Sequence, residues 1–532
     1  MRIVFSENPE FNKMTYEDQS CKIYFKGYAL IDEKLYFGDE FIPIIKKYIE
    51  KDVLISSIPK MNGVFNIIVN KNDELIVATD RLSPFHLFYK KDNRGLSISD
   101  NWHQLDDKKE LNTDAVVEYI AFGYVLGTKT LINNINEFES HHIYKFRIEF
   151  GNILEKKINY WQYAVNPGKK DNLEYEFYRL WKKQIRIYTD YIKNNKKRTF
   201  IPITGGLDSR IIAYEFDNEN IAIKSMTYGN NPSNLQIQTA LKIIKRLNSV
   251  SDHQLLFMNS AFINSVRNNV DFHKFDITCG HLEKILSHNR IYKNSLGYFH
   301  IPGHSGDFIA GSHLKQKMKY WKTKTEIIDY IIKRKSTPFG YQLLSQNKKQ
   351  LDKVTENLEE LINIENGYKN GFLEWNFTNR QRRFITRSCI PEYRNKTPQV
   401  LLPFFDYELI DFFIKVPFDL LFYEKLYINS FLKYFFEDNK DLRKIPKDGN
   451  PIKPIKNVFI KEYHSKIKKQ FLKKFKKGSN TKMWSGNPIK YEKNHEVFLN
   501  KIGLNNIPDN ITQKNLLYID MLLKFSKYED LV

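Results

Sequence analysis

Ile201-Pro202-Ile203-Thr204-Gly205-Gly206-Leu207-Asp208-Ser209 runs an apolar stretch into a hydroxyl, two glycines, an aspartate and a second hydroxyl. The apolar part reads as a buried strand, and the glycines let the chain turn sharply and bring backbone N–H groups against an anion. Thr204 and Ser209 add hydroxyl donors, and Asp208 is placed to hold a cation beside that anion. The stretch predicts a strand, a phosphate-cradling turn and a helix opening at about residue 207.

Outward from this turn the chain alternates strand, loop and helix. Ile221 to Thr227 reads as a strand, about 234 to 247 as a helix, Leu255 to Met258 and Tyr298 to Ile301 as further strands. That rhythm predicts a parallel sheet with covering helices, whose ligands sit beyond the carboxyl ends of the strands. Gly303-His304-Ser305-Gly306-Asp307 follows one of those strands and offers a second aspartate, so Asp208 and Asp307 are candidates to share a magnesium ion between phosphates. Upstream, Lys22 to Phe25, Val64 to Val69, Leu75 to Thr79 and Leu87 to Tyr89 are short β-type runs separated by polar turns. The turn-forming Asn166-Pro167-Gly168-Lys169-Lys170-Asp171 precedes a helical pattern from about 173 to 194. These features predict an α/β chain of two domains, a sheet-rich one over 1–165 and a second over 172–532.

Composition sets the frame. The 532 residues exceed what one core usually holds, and 42% apolar content is enough to build two or three. There is no signal-peptide pattern and no run near ~18 uncharged apolar residues, so a cytoplasmic protein without a transmembrane segment is expected. The three cysteines, Cys21, Cys279 and Cys389, lack metal-ligand spacing and read as reduced thiols. Lys plus Arg number 83 against 62 acidic residues, a net charge of +21 that suits phosphorylated ligands; nucleic acid is not the expected partner. The basic stretch 466–477 has apolar residues at 467, 471, 472 and 475, the spacing of a helix packing one face on its domain.

Taken together these residues resemble the asparagine synthetase-like family. Thr204 to Ser209 resembles its Ser-Gly-Gly-x-Asp-Ser pyrophosphate loop, Gly303 to Asp307 its second loop, and Leu402-Pro403-Phe404-Phe405-Asp406 with Val416-Pro417 its Pro-Phe-Leu-Asp region. Met61 to Phe65 and Thr79 to Tyr89 are similar to strands of the family's glutaminase-type domain. The resemblance implies an N-terminal glutaminase-like αββα domain and a C-terminal doubly wound parallel-sheet ATP-pyrophosphatase domain with additional helices. It also implies chemistry: ATP and Mg2+ adenylate a carboxylate, pyrophosphate leaves, and an amine attacks the acyl-adenylate to give an amide and AMP. Thr204, Gly205, Gly206 and Ser209 would stabilise pyrophosphate, Asp208 and Asp307 would hold magnesium, and Ile203, Tyr228 and Gly303 would line the AMP site. Lys447, with Lys444 as the alternative, is the nearest match to the lysine that steadies the transition state. His304 is a candidate base for the amine or a phosphate ligand.

Three departures from the family matter, the first being His304, where ammonia-using relatives often carry Glu and lactam-forming ones Tyr. Where relatives carry Glu ahead of the Pro-Phe motif this chain has Gln399, which puts their acid–base pairing in doubt. Glutamine hydrolysis needs a cysteine immediately after Met1, and Arg2 stands there; only processing that exposed Cys21 would supply a thiol. The expectation is therefore an amide-forming ligase fed by ammonia, from a separate glutaminase, or by another amine. Its acid is aspartate, a uronate or a peptide carboxylate. The alternatives are a tRNA-adenylating enzyme of the same fold and a non-catalytic assembly protein.

Overall fold

The computed structural model of the chain describes residues 2–3, 15–18, 21–71, 74–93, 95–105, 110–149, 152–168, 171–229, 231–257, 262, 264, 268, 275–280, 297–387, 399–456, 489–508, 511 and 513–527. The expected helix over 466–477 lies outside the described residues. Before residue 160 the described strands are β1 (Arg2–Ile3), β2 (Thr15–Glu17), β3 (Cys21–Ile31), β4 (Lys34–Phe37), β5 (Asn62–Lys71), β6 (Glu74–Thr79), β7 (Phe88–Asp92), β8 (Gly95–Ser99), β9 (Asn136–Glu137), β10 (His142–Glu149) and β11 (Asn152–Asn159).

The larger sheet is antiparallel, in the order β11-β10-β6-β5-β3-β2 with β4 paired to β3. Successive side chains of a strand point to opposite faces, and here both faces are covered. Ile23, Phe25, Phe65 and Ile67 meet Phe41, Ile42 and Ile45 at the start of the helix Ile42–Glu50. Tyr24, Ile68 and Val77 turn the other way and share a cluster with Leu96 and Ile98 of the smaller sheet, β1-β8-β7-β9. The outer strand β11 carries Glu155, Lys156 and Lys157 and is largely exposed, a charged edge that resists pairing with another chain.

The C-terminal part begins with the helix Leu173–Asn194, where Phe177, Trp181, Ile185, Tyr188 and Ile192 fall three or four residues apart and make one buried face. Its sheet is wholly parallel and is built from β12 (Arg198–Pro202), β13 (Ile223–Gly229), β14 (Val250–Phe257), β15 (Tyr298–His300) and β16 (Gln399–Val400). The order is β14-β13-β12-β15-β16. Strands added after β12 go first to one side and then to the other, so the carboxyl ends of β12 and β15 flank the point where the order reverses. Among the described residues no helix is long and apolar enough to cross a membrane.

The two parts share one core. Tyr28 meets Tyr188 edge-on with ring centroids 6.2 Å apart, and Phe37 meets Phe299 at 5.3 Å. Polar groups reinforce the contact: Asn62 Nδ2 donates to Asp406 Oδ2 at 2.5 Å, while Asn62 Oδ1 accepts from the Tyr407 N–H at 2.8 Å. Arg81 lies over the Tyr407 ring and pairs with Asp411 at 2.6 Å. Deeper, the wholly buried Glu137 receives Arg383 Nη2 and Arg387 Nη1, each at 2.7 Å, from the end of the segment Asn376–Thr386 and just beyond it. Burial opposes a charge there, but the three guanidiniums of Arg387, Arg383 and Arg382 hold the Glu137 carboxyl well below its ordinary range. Nearby Glu374 is different. Its Oε2 accepts the Tyr163 N–H at 2.5 Å and its Oε1 lies 3.3 Å from His141 Nε2, and burial raises its carboxyl to about 7.

Candidate functional site

The turn after β12 holds itself together through its hydroxyls. The Thr204 N–H donates to Ser209 Oγ at 3.1 Å, the Gly206 N–H donates to Thr204 Oγ1 at 3.2 Å, and the two hydroxyls are 3.2 Å apart. Ile203 is wholly buried and its carbonyl accepts from Thr227 Oγ1 at 2.6 Å, so its side chain belongs to the core and only its backbone reaches the turn. The helix Asp208–Asn218 follows with Leu207 at its cap position, which supplies no side-chain hydrogen bond. Among the described residues no side chain at the cap position satisfies the first-turn N–H groups, which lie at the positive end of the helix dipole.

The loop after β15 packs directly on this turn. A Cβ on Gly303 would stand 2.5 Å from the Ser209 nitrogen, and one on Gly306 would stand 2.7 Å from Asp208 Cγ. Gly303 and Gly306 thus admit close packing of the two loops. The contact is sealed by the Asp307 N–H, which donates to Asp208 Oδ2 at 3.0 Å. Between the glycines Ser305 adopts φ 67°, a left-handed conformation unusual for serine, and its hydroxyl donates to Gln381 Oε1 at 2.9 Å. His304 is half-buried on the same loop.

Asp208 is the electrostatic centre. Its Oδ1 accepts from the Tyr427 hydroxyl at 2.7 Å. Burial, reinforced by the charge of Asp307, raises its carboxyl to about 7 against the pull of Lys447 and the Tyr427 hydrogen bond. Lys447 Nζ lies 3.0 Å from Glu424 Oε1. Burial disfavours its charge, but Glu424, Asp208 and Asp307 outweigh that and raise its pKa above the ordinary lysine value. The structure also separates the two lysine candidates, since Lys444 is exposed and pairs with Asp441 at 3.8 Å.

Arg210, which the sequence reading did not single out, brings Lys447 here. It is fully buried, and its guanidinium donates to the carbonyls of Ile445 and Pro446, each at 2.7 Å. The Asp448 N–H then donates to the Gly205 carbonyl at 3.0 Å, which docks the lysine-bearing loop onto the glycine turn. A basic residue in the first turn of a helix, where the dipole disfavours it, was the available signal. Tyr427, which meets Asp208 219 positions away, and Glu424, which meets Lys447 23 positions away, gave none, because nothing local marks such a contact.

The remaining residues fall as follows. Tyr228 sits near the carboxyl end of β13 and packs with Phe200, Met226 and Leu256. Gln399 opens β16 opposite Phe299. Asp406 caps the helix Tyr407–Phe413, accepting from the Leu409 N–H at 3.2 Å, and burial raises it to about 7. Arg2 lies in β1 of the smaller sheet, opposite Ser97. Cys21 starts β3 in the larger sheet and is buried in the cluster under the helix Ile42–Glu50.

Chemically, the Asp208 side of this site brings the charges of Asp208, Asp307 and Glu424 to bear on Lys447. Among the described residues no group of three or more His, Cys, Asp or Glu side chains is arranged to hold a metal ion. Two carboxylates beside a free helix N-terminus nevertheless fit Mg2+, which commonly takes one or two carboxylates and completes its shell with water and substrate phosphates. Compared with known proteins, the chain matches no protein-family model and no curated protein.

Proposed function

We propose that the chain is an ATP-dependent, AMP-forming ligase that activates a carboxylate and transfers it to ammonia or another amine. The observation that carries this reading is the contact at the sheet's reversal point, where the Asp307 N–H meets Asp208 Oδ2 at 3.0 Å beneath the uncapped helix N-terminus. A polyphosphate seated there meets backbone N–H groups, the hydroxyls of Thr204 and Ser209, and Lys447, all aimed at charge that grows as pyrophosphate leaves. Magnesium, held by Asp208 and Asp307, would neutralise phosphate charge when bound. A carboxylate oxygen attacks the α-phosphorus and pyrophosphate departs; the amine nitrogen then attacks the acyl carbon and AMP departs, its spare proton passing to a base for which His304 is the candidate.

In this reading residues 172–532 form the ATP-pyrophosphatase unit and 1–165 a glutaminase-like unit of two facing sheets that has no nucleophile. Arg2 in β1 and a buried Cys21 in the other sheet support an external nitrogen source. An ATP-consuming ligase of this kind would work in the cytoplasm. The test is acid-dependent exchange of radiolabelled pyrophosphate into ATP. Asp208→Asn, close in shape but uncharged, is expected to lower exchange by about 100-fold or more. Exchange that is absent with every acid tried, or that survives the substitution, refutes the reading.

A further inference from the structure

A second basic surface adjoins the segment that carries Lys447. The last turn of the helix Leu235–Ile244 and the short helix Lys440–Lys444 wall a depression of about 630 Å³ that is open to solvent. Lys242, Lys245, Arg246, Asp441, Lys444 and Ile445 line it. Asn439 Nδ2 donates to the Arg246 carbonyl at 3.0 Å and ties one wall to the other. Arg246 Nη2 stands 3.7 Å and Lys444 Nζ 3.8 Å from the two oxygens of Asp441, too far for hydrogen bonds. Lys242 and Lys245 are exposed and form no ion pair among the described residues.

Four cations against one carboxylate leave three positive charges uncompensated in one concavity. A helix carboxyl end favours a nearby cation, which accounts for Lys242 and Lys444 separately but not for their convergence. Such a concavity concentrates anions, and its volume suits a small ligand. Among the described residues that line it none is aromatic, so the bases of a nucleic-acid strand have nothing to stack on. Both walls also reach the Asp208 site. Along one, Arg210 holds the Ile445 and Pro446 carbonyls, each at 2.7 Å, and the Asp448 N–H docks on the Gly205 carbonyl at 3.0 Å. Along the other, a Cβ on Gly205 would meet Thr239 Cβ at 3.1 Å and Gln236 Cα at 3.3 Å, so the helix Leu235–Ile244 runs from the glycine turn to the depression.

We propose that this depression binds a small polyphosphate, its oxygens seated on Lys242, Lys245, Arg246 and Lys444, and that the ligand clamps the segment bearing Lys447 to the helix Leu235–Ile244. Three uncompensated cations match an anion of three or more charges, and a ligand held by both walls adds to the single Asn439 contact between them. None of the lining residues belongs to the glycine turn or touches Asp208, so the site is separate from the one beneath the helix Asp208–Asn218. The clamp operates whether or not the chain is a ligase.

The test titrates tripolyphosphate calorimetrically into the full chain without Mg2+ or nucleotide. It compares the parent with two double variants at exposed positions, Lys242→Glu with Lys245→Glu and Lys242→Gln with Lys245→Gln. The parent is expected to bind, the glutamate pair to lose at least about tenfold in affinity, and the glutamine pair to lose less. At about ten times the parent's Kd, amide hydrogen exchange over residues 440–448 is expected to slow by about tenfold, since the ligand holds only the closed segment. The glutamate pair at the same concentration should show no slowing. Cooperative melting certifies that each variant is folded, and one folded variant is enough to decide. A parent that does not bind overturns the proposal. So does a folded variant that binds as the parent does, which puts the anion on another surface such as the glycine turn. Binding that leaves exchange over 440–448 unchanged overturns the clamp. A single-stranded oligonucleotide that binds more tightly than tripolyphosphate, and is lost in the same variants, overturns the small ligand in favour of a nucleic-acid backbone.

Discussion

Glu374→Gln is expected to stabilise the protein at pH 8 and to leave it unchanged near pH 4.5. His141 Nδ1 faces the Arg81 carbonyl at 3.2 Å, and burial, with the neighbouring His142, lowers this histidine to about 3, so it is neutral with its proton on Nδ1. Its Nε2 is then an acceptor, and the Glu374 oxygen 3.3 Å away meets it best as a protonated O–H, while the other oxygen takes the Tyr163 N–H. The folded protein therefore prefers the neutral acid, and its carboxyl moves from 4.5 to about 7. A carboxyl raised on folding contributes stability that is fully present below the unfolded value and is lost as pH climbs through the folded one. Across that interval the loss is about 3 kcal/mol, at ~1.4 kcal/mol per pH unit. Glutamine reproduces the uncharged pattern, with its amide N–H donating to His141 and its oxygen accepting from Tyr163, and has no proton to lose. Urea denaturation at pH 4.5, 6 and 8 should show the variant's advantage growing from nil to about 3 kcal/mol, roughly 3 °C in Tm for a chain of this length unfolding as one unit. An advantage that does not change with pH, or a variant less stable at pH 8, refutes the assignment.

Substitutions at three other positions address the site and the contact between the two parts. Gly303→Ala places a methyl 2.5 Å from the Ser209 nitrogen and forces the loops apart, so pyrophosphate exchange should fall about 100-fold with a stability loss of only about 1–3 kcal/mol by denaturant titration. Arg210→Ala abandons two buried carbonyls and releases the loop bearing Lys447; a loss of about 3 kcal/mol or more is expected, and Arg210→Lys should recover little of it because an ammonium cannot make the forked contact. Asn62→Ala leaves Asp406 Oδ2 and the Tyr407 N–H without their partner and should cost about 2 kcal/mol in the same titration.

How much was legible in the sequence depended on how local the cause was. The helix Leu173–Asn194 was readable because its apolar residues repeat on one face, and β3, β5 and β6 because β-branched and aromatic residues cluster between turn formers. β14 starts at Val250, earlier than expected, since its first half is the polar Ser251-Asp252-His253-Gln254 of an edge strand that needs no apolar face. Both loops of the site announced themselves through glycine, hydroxyl and carboxylate within a few residues. Their mutual packing did not, and neither did Arg210, whose partners lie at 442–446. In the sequence Lys447 is the nearest match with Lys444 the alternative, and the fold turns Lys447 inward while Lys444 stays exposed.

The buried Glu137 has a consequence for how the chain is made. Its partner Arg383 lies 246 residues further along. At roughly 5–20 residues per second of synthesis, that guanidinium emerges about 12–50 s after the glutamate. Until then that carboxylate has the ring of His86, 3.0 Å away in the fold, but none of the guanidiniums that hold it charged in a dry interior, and the sheet-rich part is expected to keep that edge hydrated and loosely packed on the ribosome. The N-terminal part, though it comes first, is expected to close last around Glu137.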